Sequence, residues 1–174
     1  KGDVILVHAA AGGMGLWLCQ WAKALGATVI GTTSTEEKAA LAKKNGCKFP
    51  ILYTREDFVA RVMEITGGKG VQAVYDGVGK DTFVMSLDCL RPRGLLVSFG
   101  NASGAVEGVN LGILAAKGAL FVPRPTLAGY TATRAELEAA SKDVVDVVGT
   151  GAVKIEVNQR FPLAEAADAH RALE

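Results

Sequence analysis

A chain of 174 residues is long enough for one sizeable domain with something left over, against a typical domain of roughly 150 residues. With 49% hydrophobic and 21% charged residues, burial can offset the entropy of ordering, which excludes disorder as the general state. A net charge of +1, from 19 basic and 18 acidic side chains, argues against nucleic acid as a partner, because counterion-release binding needs a clustered positive surface.

Hydrophobic period and punctuation, taken in chain order, give a repeated strand, turn and helix rhythm with no tandem repeat. Val4 to Val7 is a short apolar strand closed by a glycine cluster, and Gly13 to Leu25 carries Leu16, Leu18, Cys19, Ala22 and Leu25 at helical spacing before Gly26 stops it. Thr28 to Thr32 is the next strand. Ser34-Thr35-Glu36-Glu37 has the form of a capping box and opens a helix through Leu41 that ends at Gly46. Phe49 to Leu52 is a strand whose Pro50 suits a sheet edge.

Asp57 to Thr66 reads as a helix, Gly67 to Gly70 as a turn, and Val71 to Tyr75 as a buried strand. Lys80 to Leu90 is helical, Arg91-Pro92-Arg93-Gly94 is a turn, and Leu95 to Phe99 is a further strand. Leu111 to Lys117 forms a short helix and Leu120 to Val122 a sixth strand. Arg134 to Val148 is an amphipathic helix with Thr133 as its cap. Val153 to Val157 alternates apolar and polar residues, as a half-exposed antiparallel strand does, and Leu163 to Leu173 is an Ala-rich helix.

Strands without period-2 alternation, each followed by a helix, imply an α/β domain of Rossmann type: a doubly wound parallel six-stranded sheet covered on both faces. Residues 1–151 form that dinucleotide-binding domain. Residues 152–174 read as a segment returning to a neighbouring domain mostly absent from the chain, and a start at Lys1 without Met suggests an excised piece of something longer. The uncharged run from Val4 to Ala22 is a poor membrane span, since it holds His8, Gln20 and three glycines within four positions. Cys19, Cys47 and Cys89 are odd in number and form no C-x-x-C pair, so neither a disulfide framework nor a metal knuckle is readable, and a reducing cytoplasm fits best.

The chemistry concentrates at His8-Ala9-Ala10-Ala11-Gly12-Gly13-Met14-Gly15, between the first strand and the first helix. The spacing is that of G-x-G-x-x-G with Ala10 in the first glycine's place. Small residues let the backbone turn sharply beside a pyrophosphate, and free N–H groups at a helix N-terminus meet its negative charge. At the end of the second strand, where an acidic residue would hold a ribose 2′-hydroxyl, stands Gly31-Thr32-Thr33-Ser34. With no carboxylate to repel it, a 2′-phosphate is admissible, and Ser34, Lys38 and Tyr53 offer it a hydroxyl, an ammonium and a phenol. NADP is therefore favoured over NAD. Each of the three also has a structural reading: Ser34 as a helix cap, Lys38 as a solvated charge, Tyr53 as a surface aromatic.

Asp76-Gly77-Val78-Gly79 and Phe99-Gly100-Asn101 follow the fourth and fifth strands. Their glycines would let a cofactor cross close to backbone, with Val78 against the nicotinamide and Asn101 hydrogen-bonding it, and both turns also read as ordinary loops. Asp76 is better placed as a cap than as a catalyst.

Together, Ala9-Ala10-x-Gly12-Gly13-x-Gly15, Ser34-x-Glu36-Glu37-Lys38, Tyr53-x-Arg55-Glu56-Asp57, Tyr75-Asp76-x-Val78-Gly79, Phe99-Gly100-Asn101-x-Ser103-Gly104 and Arg124-Pro125-Thr126 resemble the zinc-independent quinone oxidoreductases of the medium-chain dehydrogenase/reductase superfamily. The resemblance implies NADPH as hydride donor and a quinone or other conjugated carbonyl compound as acceptor. It places Gly12, Gly13, Met14 and Gly15 on the pyrophosphate, and Ser34, Lys38 and Tyr53 on the adenosine phosphate. Val78, Gly100 and Asn101 fall near the ribose and nicotinamide, and Phe121 and Val122 at the carboxamide side. Met14 departs from the family's usual Val. The resemblance further implies a GroES-like catalytic domain before the first strand, whose last strand follows about where this chain stops, and a homodimer joined through the sixth strand, Ala119 to Val122, whose exposed edge would otherwise invite pairing.

Hydride transfer needs an acceptor held against the cofactor and a proton for the product, not a nucleophile. No Ser/His/Asp or Cys/His constellation is readable; His8 reads as a packed structural residue, His170 has no partner pattern, and the cysteines read as core. No catalytic residue and no metal ligand is assigned. The alternatives are an enoyl reductase module of a larger synthase and a dinucleotide-sensing module without turnover.

Overall fold

The computed structural model describes residues 2–157 and 159–173. Five strands make one all-parallel sheet in the order β3-β2-β1-β4-β5, with β1 at Val4–Val7, β2 at Thr28–Thr33, β3 at Phe49–Leu52, β4 at Val71–Asp76 and β5 at Leu90–Ser98. Side-chain alternation sorts the core. Leu6, Ile30, Ile51, Val74 and Leu96 lie with Phe58 and Val62 of α3 (Phe58–Ile65) and with Phe83 and Leu87 of α4 (Phe83–Asp88). Ile5, Val7 and Val29 pack with Cys19 of α1 (Gly13–Ala24) and Ala42 of α2 (Glu36–Lys44) on the opposite face. Because both faces are covered, these strands read as continuous apolar runs. Strand order reverses between β1 and β4, which opens a crevice at their carboxyl ends.

The helices begin where side chains satisfy their free amides. Asp57 Oδ1 accepts from the N–H groups of Val59 and Ala60 at 2.8 and 3.2 Å, and Thr133 and Glu136 form a reciprocal capping box on α7 (Arg134–Gly149). Gly26, at φ +80°, ends α1 with its N–H on Lys23 O. The cap of α2 is Thr35 rather than Ser34: its hydroxyl accepts from Lys38 N–H, and Ser34 is left at the strand end.

Other expectations need correction. Among the described residues the sheet has five strands where six were expected: residues 120–122 contribute a single parallel bridge, Leu95 to Phe121, with Phe121 N–H on Gly94 O and Ser98 N–H on Pro123 O. Pro123 has no N–H to carry the ladder further. Arg91 to Gly94 is not a turn but an irregularity inside β5. Between Val71 and Ala73 of β4 the partner advances from Leu90 to Leu95, and Arg93 takes φ +60°. The helix expected from Lys80 to Leu90 is confined to Phe83–Asp88, because Asp76 draws the N–H groups of Val78 and Gly79 into a turn first.

Val153 to Val157 pairs with no strand among the described residues. Val153 is buried with its N–H on Val147 O, Gln20 of α1 grips the Lys154 backbone through both its amide atoms, and Lys44 pairs with Glu156 at 3.8 Å. The remainder is a 3₁₀ turn, Leu163–Glu165, and α8, Ala166–Leu173. The boundaries set at Lys1, and at Glu174 for a segment that includes Asn158, fall outside the described residues.

Ile30 sits on β2, an inner strand of the sheet, and is fully buried. Ile30→Ala is expected to destabilise the fold by about 2–5 kcal/mol, through lost transfer energy and the cavity left behind. A lowered urea midpoint at constant m value is the check.

Candidate functional site

The turn between β1 and α1 is built on close backbone contact. A Cβ on Gly15 would stand 2.2 Å from Ala9 O and 2.7 Å from Ala10 Cα, so only glycine allows the helix this near the strand. Ala10, in the place of the motif's first glycine, is fully buried; its methyl fills the space left by Gly31, where a Cβ would meet it at 2.5 Å. Ala9 takes φ +50°, and its carbonyl accepts from Gly12 N–H at 2.9 Å. Past Gly12 no side chain caps α1 and its first turn holds no acidic residue. The helix thus offers its free amides and roughly half a positive charge to whatever occupies the crevice. Gly13 has open space where a side chain would project, and Met14 is exposed beside it.

Two adjoining cavities open beside this turn. The smaller, about 190 Å³, is lined by Gly12, Ser34, Lys38 and Tyr53 together with Ala9, Ala11, Thr32 and Thr33. The larger, about 390 Å³, shares Ala9, Thr32 and Tyr53 and continues along Val78, Phe58, Met85, Asp81 and Thr82. The structure therefore brings together Gly12, Ser34, Lys38 and Tyr53, with Gly13, Met14 and Gly15 on the adjacent helix turn. Val78 lines the larger cavity together with Tyr53. Gly100, Asn101, Phe121 and Val122 line neither cavity.

The loops after β4 and β5 interlock through backbone. A Cβ on Gly100 would meet Gly77 O at 2.4 Å, and one on Gly79, at φ +93°, would meet Gly104 O at 2.7 Å. Ser103 donates its N–H and hydroxyl to Val78 O, and Arg124 donates to the carbonyls of Ser98 and Gly100. Asn101 is exposed at this junction, Phe121 is 58% exposed, and Val122 is half-buried against the core.

Beneath the crevice runs a buried polar chain. Asp76 Oδ1 accepts from Val78 and Gly79 N–H, and its Oδ2 accepts from the hydroxyls of Thr82 at 2.8 Å and Ser86 at 3.3 Å. The ring of His8 lies between Ser86 Oγ, 2.9 Å from Nε2, and Thr32 Oγ1, 3.0 Å from Nδ1, with its edge on Phe58. Burial holds the His8 imidazole well below its ordinary pKa, at about 4, against the opposing pull of the Asp76 charge. Two of the three thiols are withdrawn from chemistry: the contact with Cys47, together with burial, holds Cys19 far above the ordinary thiol range, and burial pushes Cys89 up to about 12, whereas the same contact lowers Cys47.

Sequence reasoning missed Ala9 and Thr32, which line both cavities, and Phe58 and Met85, which line the larger. The first two flank motif residues and were within reach. The latter two carry no signal, since a helical Phe or Met reads as core.

The family model described as zinc-binding dehydrogenase matches residues 13–146. The chain belongs to the zinc-binding dehydrogenase family. It is 57% identical over 172 residues to a quinone oxidoreductase of Pseudomonas aeruginosa, covering 99% of this chain and 53% of that protein. It is 52% identical over 171 residues to a 2-haloacrylate reductase of a Burkholderia species, covering 98% of this chain and 51% of the relative. The crystal structure of Escherichia coli quinone oxidoreductase complexed with NADPH superposes at a TM-score of 0.94 with 56% identity, over 99% of this chain and 54% of that one. The chain spans about half the length of the curated relatives it matches. The resemblance read from the six motifs holds at the level of the family and its quinone oxidoreductase members. The metal in the family's description finds no fit: among the described residues no three His, Cys, Asp or Glu side chains gather where they could hold an ion.

The neutral His8 also fixes a pH dependence. Its folded pKa lies below the unfolded value of 6.5, so the unfolded chain binds the proton first as pH falls. The associated stability is complete above pH 6.5 and is lost by ~1.4 kcal/mol per unit down to about pH 4, or ~3 kcal/mol in all. Urea unfolding of wild type and His8→Gln between pH 7.5 and 4.5 should show this part of the slope vanishing in the variant. Equal slopes would mean that the imidazole is not buried in its neutral form.

Proposed function

We infer that this chain is the NADPH-binding part of an oxidoreductase that transfers hydride to a quinone or other conjugated carbonyl acceptor. The carrying observation is the smaller cavity, in which the uncapped turn at Gly12 and the side chains of Ser34, Lys38 and Tyr53 meet at a strand end without a carboxylate. Glycine at 12, 13 and 15 and the exposed Met14 leave the amides of the first α1 turn open to a pyrophosphate. Ser34, Lys38 and Tyr53 then hold the 2′-phosphate, and the adenine enters the larger cavity, where Phe58 and Tyr53 supply aromatic contact and Val78, expected against the nicotinamide, supplies apolar contact instead. Gly100 and Asn101 serve the nicotinamide end, with Phe121 and Val122 at its carboxamide. When bound, NADPH supplies the hydride; the residues here bind and orient it.

Several wider readings go with this one. The relatives, among them a reductase named for an unsaturated haloacid, support an acceptor with a double bond conjugated to a carbonyl. Residues 152–174 belong with a GroES-like domain that holds the acceptor, supported by Ile155, Val157 and Leu163 being left exposed. A sixth strand and a homodimer form together when Ala119 to Val122 of two copies pair, since this edge already starts a ladder at Phe121. Three free buried thiols suit a reducing compartment, the cytoplasm.

Calorimetry on this chain should show NADPH binding more tightly than NADH, with Lys38→Ala weakening NADPH roughly tenfold and leaving NADH little changed, as expected for one charge-assisted phosphate contact. Equal affinities for the two cofactors in wild type would overturn the 2′-phosphate assignment.

A further inference from the structure

The proton inventory of the buried chain has one complete solution. The carboxylate Oδ2 of Asp76 accepts only, so the single hydroxyl hydrogen of Ser86 goes to it across 3.3 Å. Ser86 Oγ must then accept from His8, which places the ring hydrogen on Nε2. Nδ1 is left as an acceptor, and the Thr32 hydroxyl donates to it at 3.0 Å. The lone pairs remaining on Thr32 Oγ1 accept the Ala9 N–H at 3.2 Å. The opposite tautomer would leave the buried Thr32 hydrogen without an acceptor and the Ser86 to Asp76 contact without a hydrogen.

This chain ends on the residue that sets the direction of the crevice turn. Ala9 is held at φ +50°, a conformation that costs a non-glycine residue free energy. Its carbonyl both receives Gly12 N–H and forms the wall against which Gly15 packs. The main-chain bond from Ala10 N–H to Thr32 O fixes the next peptide to the same strand end. Rotation at Ala9 would therefore swing the amides at the start of α1.

We propose that His8 is a positioning residue for the cofactor: as the neutral Nε2–H tautomer it orients the Thr32 hydroxyl, which holds Ala9 left-handed and aims the α1 turn at the pyrophosphate. The inference rests on the reading of that turn as the NADPH site. Its ring also borders the larger cavity, where Glu56, Asp57 and Asp81 are the other ionisable groups beside Tyr53. Among its direct partners from β2, β4, α3 and α4, the charged group is Asp76.

The test uses the full-length protein. His8→Gln, whose amide oxygen stands one atom further from the backbone than Nδ1, and Thr32→Val should each raise the Kd for NADPH about tenfold, the loss falling on KM rather than kcat. Thr32→Ser keeps the hydroxyl and should restore most of the affinity. Amide hydrogen exchange at Ala9 and Gly12 should quicken in the first two variants and stay slow in Thr32→Ser. Unchanged exchange at both amides in folded His8→Gln overturns the positioning role, whatever happens to NADPH. A wild-type protein that ignores NADPH overturns the cofactor reading instead, and the exchange rates still decide the role of His8. Should His8→Gln fail to fold, the imidazole ¹⁵N shifts of wild type decide: Nε2–H at pH 7 supports the proposal, while Nδ1–H or a charged ring overturns it.

Discussion

The first turn of α1 lies against the end of β1 with no room for a methyl group between them, since a Cβ on Gly15 would overlap the carbonyl of Ala9. That contact brings a helix N-terminus to the carboxyl rim of the sheet at the place where strand order reverses. Nearby, Ala10 and Gly31 share one methyl's worth of space, so a helix, a turn and two strands meet almost backbone to backbone. The free amides of α1 have a defined direction because so little soft side chain lies behind them. Dense interiors transmit displacement, and here they transmit position.

The second half of the rim follows the same logic with different residues. Gly77 and Gly100 abut, Gly79 takes a conformation that side chains resist, and Asp76 ties the start of α4 to its own strand. What α4 loses in length is gained as a fixed loop: two backbone amides and two hydroxyls converge on one carboxylate. Arg124 then reaches back to the carbonyls of Ser98 and Gly100, so the chain beyond β5 is anchored to the same rim.

Much of this was legible in the sequence because it is written in local chemistry. The five apolar runs that became strands lack alternation, and the capping residue Thr133 stands one position before its helix. Ser34, Lys38 and Tyr53 were readable as a group because the end of a second strand in this fold is a place where charge has a defined meaning. The misreadings arose where tertiary pairing overrode local signals. Arg91-Pro92-Arg93-Gly94 has turn composition, yet pairing of Leu90 and of Leu95 with β4 keeps it inside the strand. Val153 to Val157 alternates as a strand should, but alternation describes one face and supplies no ladder partner. Phe58 and Met85 were invisible as lining residues because a cavity wall and a core wall use the same side chains.

The polar chain under the crevice shows why a core position at the end of β1 carries imidazole rather than an aliphatic side chain. Apolar packing is indifferent to rotation: Leu or Ile at position 8 would hold β1, α3 and α4 together and leave the peptide of Ala9 free to settle by sterics alone. A hydrogen bond has direction, and a run of them through Thr32, His8, Ser86 and Asp76 carries that direction from one strand end to another. Such a run is tolerable in a low-dielectric interior only if every member is satisfied, because each orphaned group costs about 1–3 kcal/mol. Here the neutral ring, two hydroxyls and one carboxylate match donor to acceptor without remainder. The same completeness makes the arrangement brittle: a proton added to the ring turns Nδ1 from acceptor to donor, and the hydroxyl hydrogen of Thr32 is left without its acceptor.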